Sequence, residues 1–243
     1  MAGSRDSRVA FLTQSSAPGE SPAAAGRAPR PVAAGVHLLA ARGGSSWFVD
    51  ADAQPGQPAL LIDCPSPSDA NLAWLGQRRE AGGYLVLTGR HGHGDTPGEL
   101  RRWQRLLGWP VVVQEQEAYL LPGVERLQPF GDTVTLLPGV RLLWTPGPTP
   151  GACVLHVRRP GLDGLFCGRL LVPVAPGALA PLRTPATFHW PRQLASLRRL
   201  LDWLPPASPS WIATGAGLGA LRGGALVETR TDWLRTAAAQ GFC

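Results

Sequence analysis

The chain has 243 residues, 44% of them hydrophobic, and a formal net charge of +6. That is enough apolar material for one large buried core, while no apolar run reaches the roughly 18 to 20 residues of a membrane span, so no membrane partner is expected. All 23 basic residues are arginine, several of them paired (Arg78-Arg79, Arg101-Arg102, Arg158-Arg159, Arg198-Arg199) as solvated faces usually are, and without interleaved aromatics nucleic acid is not the expected partner.

Residues 1–34 are rich in Ala, Ser, Pro, Gly and Arg and lack an apolar segment of secretory length. They read as a disordered tail ahead of a single domain over 35–243. Val36–Ala40, Trp47–Val49 and Ala59–Ile62 then read as three successive strands, the last ending at Asp63-Cys64-Pro65. Ser68-Asp69-Ala70-Asn71 supplies cap-type residues for a short helix over Leu72–Arg79, and Tyr84–Thr88 is the next strand. Thr96-Pro97-Gly98-Glu99 has the spacing of a capping box with Pro just inside the helix start. The helix it opens carries Leu100, Trp103, Leu106 and Leu107 and stops at Gly108-Trp109-Pro110, before the strand Val111–Val113. Strand, loop, helix, strand is a βαβ unit, and open α/β sheets place ligands in the loop at the carboxyl end of the first strand.

Beyond Arg126 the pattern turns β-rich, with strands expected at Thr133–Leu136, Val140–Trp144, Cys153–Val157 and Gly164–Gly168. Val172–Pro185, rich in proline, reads as a long surface loop. Pro191–Leu204 carries Leu194, Leu197, Leu200, Leu201 and Leu204 on one helical face, Trp211–Thr214 is a late strand, and Leu226–Ala239 a terminal helix. His37 and His156 lie inside apolar strands, as structural histidines do. Four cysteines (Cys64, Cys153, Cys167, Cys243) form no C-x-x-C pair, which disfavours zinc ribbons and redox motifs and fits a reducing, cytoplasmic setting.

The segment with the most chemistry is the loop of the βαβ unit, His91-Gly92-His93-Gly94-Asp95-Thr96-Pro97-Gly98. Two imidazoles one residue apart and a carboxylate two further on make half of a metal site, and zinc needs about three or four protein ligands. Three later segments extend the pattern: Thr145-Pro146-Gly147-Pro148-Thr149-Pro150-Gly151, Phe166-Cys167-Gly168-Arg169 and Thr214-Gly215-Ala216-Gly217. In this order and spacing, over roughly residues 35 to 225, the chain resembles the metallo-β-lactamase-fold hydrolases of the glyoxalase II-like kind. Their blocks read His-x-His-x-Asp-His-x-Gly, Pro-Gly-His-Thr-Pro-Gly, Phe-x-Gly-Asp and Pro-Gly-His-Gly.

The resemblance implies an α/β fold, a four-layer αββα sandwich of two mixed β-sheets with helices on the outer faces. It also implies a dinuclear metal centre that turns a bridging water into a nucleophile. Carried over by position, His91, His93 and Asp95 are retained as metal ligands, whereas Thr96, Pro148 and Ala216 stand where the family has His and Arg169 where it has the bridging Asp. That register needs two extra residues, Gly89 and Arg90, and keeps Gly98 and the helix start in place. An ungapped register instead puts Gly89 and His91 at the first-metal positions and His93 at the Asp. In both, most ligands are substituted, so the expected cofactor content is none, or at most one Zn2+ at a partial site.

Two functions follow as expectations. One is a pseudoenzyme with a degenerate site that binds a small molecule or a protein. The other is a hydrolase of thioester, lactone or phosphoester type using a single metal at His91, His93 and Asp95. Asp95 and Arg169 are the residues expected to carry the chemistry, Arg169 as a fixed positive charge paired with Asp95 in place of the metals. The family also places substrate-contacting residues near His189.

Overall fold

The computed structural model describes residues 27–51, 57–94 and 96–229. Seven strands form the first sheet in chain order: β1 (Arg30–Ala33), β2 (Val36–Ala41), β3 (Gly44–Val49), β4 (Ala59–Ile62), β5 (Gly83–Val86), β6 (Val111–Gln114) and β7 (Leu127–Phe130). Pairing is antiparallel from β1 to β4 and parallel from β4 to β7. The second sheet takes β8 (Thr133–Leu137), β9 (Val140–Trp144), β10 (Cys153–Arg159) and β11 (Leu162–Phe166). A separate hairpin, β12 (Val172–Ala175) with β13 (Ala178–Ala180), intervenes before β14 (Trp211–Ala213) and β15 (Val227–Glu228) complete that sheet in the order β8-β9-β10-β11-β14-β15.

Alternation along the strands decides the layering, because successive side chains point to opposite faces. Trp47, Val49, Leu60, Ile62, Val86 and Val112 face Val140, Leu142, Leu155, Val157 and Phe166 and form the core between the sheets. Their neighbours Phe48, Leu61, Leu85, Val111 and Val113 turn outward onto the helices α1 (Asp69–Gly76) and α2 (Pro97–Leu107). Leu143, Val154, Leu165 and Ile212 do the same on the other sheet, against Leu197, Leu200 and Leu204 on and just beyond α4 (Trp190–Trp203), which follows the one-turn α3 (Glu115–Ala118). The expected αββα sandwich is the fold.

Local chemistry explains most element ends. The Ser68 hydroxyl accepts from the Asn71 N–H at the start of α1, and Gly108, at φ +69, closes α2 by donating its N–H to the Gln104 carbonyl. The capping box does not form: Thr96 sits at the N-cap of α2 without a side-chain bond to the helix, and Glu99 turns toward Gly94. Two proline-bearing stretches are strands rather than loop. β1, inside the segment assigned to the tail, carries Pro31 at a sheet edge, where its missing N–H breaks no ladder. β12 carries Pro173 in a two-stranded hairpin, so Val172–Pro185 is not a featureless loop. The expected terminal helix gives way at its start to β15, and its remainder, like residues 1–26 of the tail, lies outside the described residues.

Arg159 departs from the solvated-face expectation. It is 9% exposed and donates to the carbonyls of Asp50 and Pro58. His37 and His156 have the expected structural roles, bonded to Asp50 and Asp163 at 2.8 Å each. Cys64, Cys153 and Cys167 are buried free thiols, pushed upward by burial, in the case of Cys167 to about 12. They are packing groups, not nucleophiles.

Candidate functional site

Loops that follow β5, β9, β11 and β14 converge at one end of the sandwich, and the residue that holds them together is Asp63. It ends β4 in a left-handed conformation, φ +59, and its N–H donates to the Val86 carbonyl. Thr88, two residues past β5, gives it both its backbone N–H (2.7 Å) and its hydroxyl (2.6 Å). The His91-Gly92-His93 turn presses on the same carboxylate. A Cβ at Gly92 would lie 2.0 Å from Oδ1 of Asp63, and the Gly92 carbonyl accepts from the Cys64 N–H. The residue between the two histidines is therefore glycine because a buried carboxylate occupies the space.

The third and fourth blocks lock onto this hub. Gly168, at φ +52, comes so close to Thr88 that a Cβ would meet its Oγ1 at 2.7 Å. Its carbonyl accepts from the Gly215 N–H at 2.7 Å, and the Gly215 carbonyl accepts from the Ser45 N–H. The second block is held by Glu117, which is fully buried. Its carboxylate accepts from the Gly151 N–H and from Nε of Arg90, and a Cβ at Gly151 would collide with its Cγ.

Two spaces open over this frame. A cavity of about 30 Å³, room for little more than a water, is walled by Asp63, Thr88, Gly89, His91, Thr149 and Arg169 among others. A groove of about 320 Å³ lies outside it, with His91, Pro148, Arg169 and Ala216 on its wall. One retained histidine and three of the substituted positions thus line a single groove. His93 is on the wall of neither space. Residues 90–93 form a 3₁₀ turn, in which side chains two apart diverge by about 120°. Asp95 lies outside the described residues, and with it the expected pairing to Arg169. Among the described residues no group of three or more His, Cys, Asp or Glu is placed to hold a metal.

Arg169 is half-buried. Its Nη2 donates to the Gly43 carbonyl at 2.9 Å, and its Nε is buried without a partner. Burial holds the guanidinium below its usual range, and the nearby Asp63 charge partly restores it. Asp63 itself is pushed up to about 6 by burial, against the pull of the two Thr88 bonds and Arg169. His91 is lowered by burial and by Arg169. His93 is lowered to about 4, mainly by burial, and its Nε2 is buried without a hydrogen bond. Both imidazoles are neutral at pH 7. His189 is exposed and caps α4, its Nδ1 accepting from the Arg192 N–H.

Sequence reasoning did not single out Asp63 or Glu117, and it used Thr88 only as the end of the strand that leads into the His91 loop. The readable signal for Asp63 was a carboxylate ending a four-residue apolar strand, and Glu117 carries no motif.

Comparison with known proteins agrees with this architecture. A family profile described as the metallo-β-lactamase superfamily matches residues 39–204, while no curated protein sequence matches the chain. Among solved structures it is similar to a B3 metallo-β-lactamase described as the first with an active-site glutamic acid (20% identity, 90% of this chain and 88% of that one, TM-score 0.61). It is similar also to a motif mutant of the metallo-β-lactamase from Cronobacter sakazakii (21%, 88% and 94%, TM-score 0.58). A third likeness is to an archaeal superfamily protein from Sulfolobus tokodaii (17%, 85% of each chain, TM-score 0.55). At these identities the structures speak for the fold, and the profile covers more than half of the sequence: the chain belongs to the metallo-β-lactamase superfamily.

Proposed function

We propose that this protein is a pseudoenzyme of its superfamily, one that keeps the chamber of a dinuclear hydrolase and uses it to bind a ligand. The observation that carries this reading is Arg169. The motif alignment puts it where the family has its bridging aspartate, and its guanidinium stands beside His91 at the base of the groove. A guanidinium has no lone pair to offer, stays protonated and repels a cation. Pro148 and Ala216, on the same wall, offer no donor either. A two-zinc centre does not fit this set of side chains.

The turns argue in the same direction. Gly92, Gly151 and Gly168 are required because Asp63, Glu117 and Thr88 leave no room for a Cβ, a demand of the fold that persists without chemistry. The cavity wall carries Gly89 and His91 but not His93, which supports a chamber with one imidazole in it. The ligand is a small molecule or a protein, and the buried, unpaired thiols suit a reducing, cytoplasmic setting.

A second reading, a single-zinc hydrolase of thioesters, lactones or phosphoesters, draws on one observation. His93 keeps a buried nitrogen without a partner and is neutral, the form that ligates metal. Metal analysis of protein purified without chelator separates the two. The pseudoenzyme reading expects far less than one equivalent of zinc and no hydrolysis of the three ester classes. About one equivalent, lost in His91→Ala/His93→Ala, would favour the single-zinc enzyme.

A further inference from the structure

Arg169 is held more by the backbone around it than by any countercharge. Among the described residues its one hydrogen bond goes to a neutral carbonyl, that of Gly43, and no carboxylate bonds to it. The buried Asp63 is near enough to be felt, but both of its oxygens are taken by Thr88. A half-buried guanidinium so placed is an anion receptor, since its fork of N–H groups matches a planar carboxylate. His91, on the same wall, brings its imidazole to the same end of the groove.

The rest of the groove has a different character. Beyond Arg169 and His91 its wall runs over Val172, Pro173 and Leu182, with Thr184 and Thr187 at the side. Leu182, one of the four prominently exposed large hydrophobic residues of the described structure, is on this wall. Apolar surface gathered around one charged anchor is the pattern of a small-molecule site, and 320 Å³ is at the small end of such sites.

We infer that the groove binds a small amphiphilic carboxylate, its head on Arg169 and His91 and its hydrocarbon body against Val172, Pro173 and Leu182. This inference rests on the metal-free reading above and names the ligand class for it.

The test uses hexanoate as probe, hexanamide as its uncharged counterpart and inorganic phosphate as a headgroup without a body, each titrated calorimetrically into the full chain with and without EDTA. Saturable hexanoate binding is expected, equal in both conditions and roughly tenfold or more tighter than hexanamide, because a charge-assisted pair is lost in the amide. Arg169→Gln should weaken hexanoate to the level of hexanamide, and Leu182→Ser should weaken hexanoate while leaving any phosphate signal unchanged. Circular dichroism checks that both variants fold, and the comparison of hexanoate with hexanamide on the wild-type protein stands without them. Absence of hexanoate binding, equal binding of acid and amide, or binding of phosphate alone would overturn the inference while the metal-free reading stands. Binding abolished by EDTA would overturn both, since a metal would then be holding the head.

Discussion

Replacing Asp63 with asparagine should remove a pH dependence of stability that the wild-type protein carries between about pH 4 and 6. Folding takes this carboxyl fully out of water, and desolvation raises it from 3.8 to about 6 despite the Thr88 bonds and Arg169. An acid whose pKa is raised by folding is bound more tightly as the neutral form. Its favourable contribution is therefore complete below pH 3.8 and is lost as pH rises through 6. A shift of roughly two units corresponds to about 3 kcal/mol, a large share of the ~5–15 kcal/mol that stabilises a typical domain. Urea unfolding can follow it through tryptophan fluorescence, with Trp47 and Trp103 fully buried reporters. The quantity to plot is wild-type stability minus Asp63→Asn stability at half-unit steps from pH 3.5 to 7.5, which cancels the other titrating groups. It should fall by about 3 kcal/mol in all, about 2 kcal/mol of it between pH 4 and 6, and level off near pH 7. A flat difference, or one that rises with pH, would refute the assignment of Asp63 as a buried carboxyl held largely by desolvation.

Other consequences are as direct. Gly92→Ala puts a methyl group 2.0 Å from Oδ1 of Asp63 and should cost about 1–3 kcal/mol; an unchanged denaturation midpoint would mean the His91-Gly92-His93 turn is not braced there. Proton-detected imidazole titrations should find His93 near 4 and His91 below 6.5, and Arg169→Gln should move His91 upward by removing a neighbouring positive charge. A His91 value unmoved by that substitution would separate the two side chains. Trp103→Ala should destabilise by about 3–5 kcal/mol, since the ring is fully buried and its Nε1 donates to the Pro65 carbonyl at 2.8 Å; a loss below 1 kcal/mol would contradict the packing of α2 on the first sheet.

Much of the fold was legible because it rests on local patterns in a fixed order. The βαβ unit announces itself in Tyr84–Thr88, the leucines around Trp103 and Val111–Val113, and α4 in its leucine stripe. What escaped was decided at a distance. β1 and β12 carry prolines that read as linker, and only the edge position of each makes them tolerable. Thr96 and Glu99 have capping-box spacing, but the Thr96 side chain makes no bond to the helix. The site divides in the same way. His91, Pro148, Arg169 and Ala216 could be placed around one groove from motif order alone. Asp63 could not be found that way, because its partner Thr88 is 25 residues away and Arg169 lies more than a hundred further along the chain than Asp63. A buried carboxyl that organises four loops leaves only the glycines pressed against it as its trace in the sequence.

The central claim is that an arginine, and not a pair of cations, occupies the chamber. Anomalous diffraction at the zinc edge, from crystals grown with excess zinc, tests it atom by atom. The account predicts no peak in the space enclosed by His91, Thr149 and Arg169, with the Arg169 guanidinium in that density; a zinc peak there, coordinated by His91 or His93 with Arg169 swung away, would contradict it.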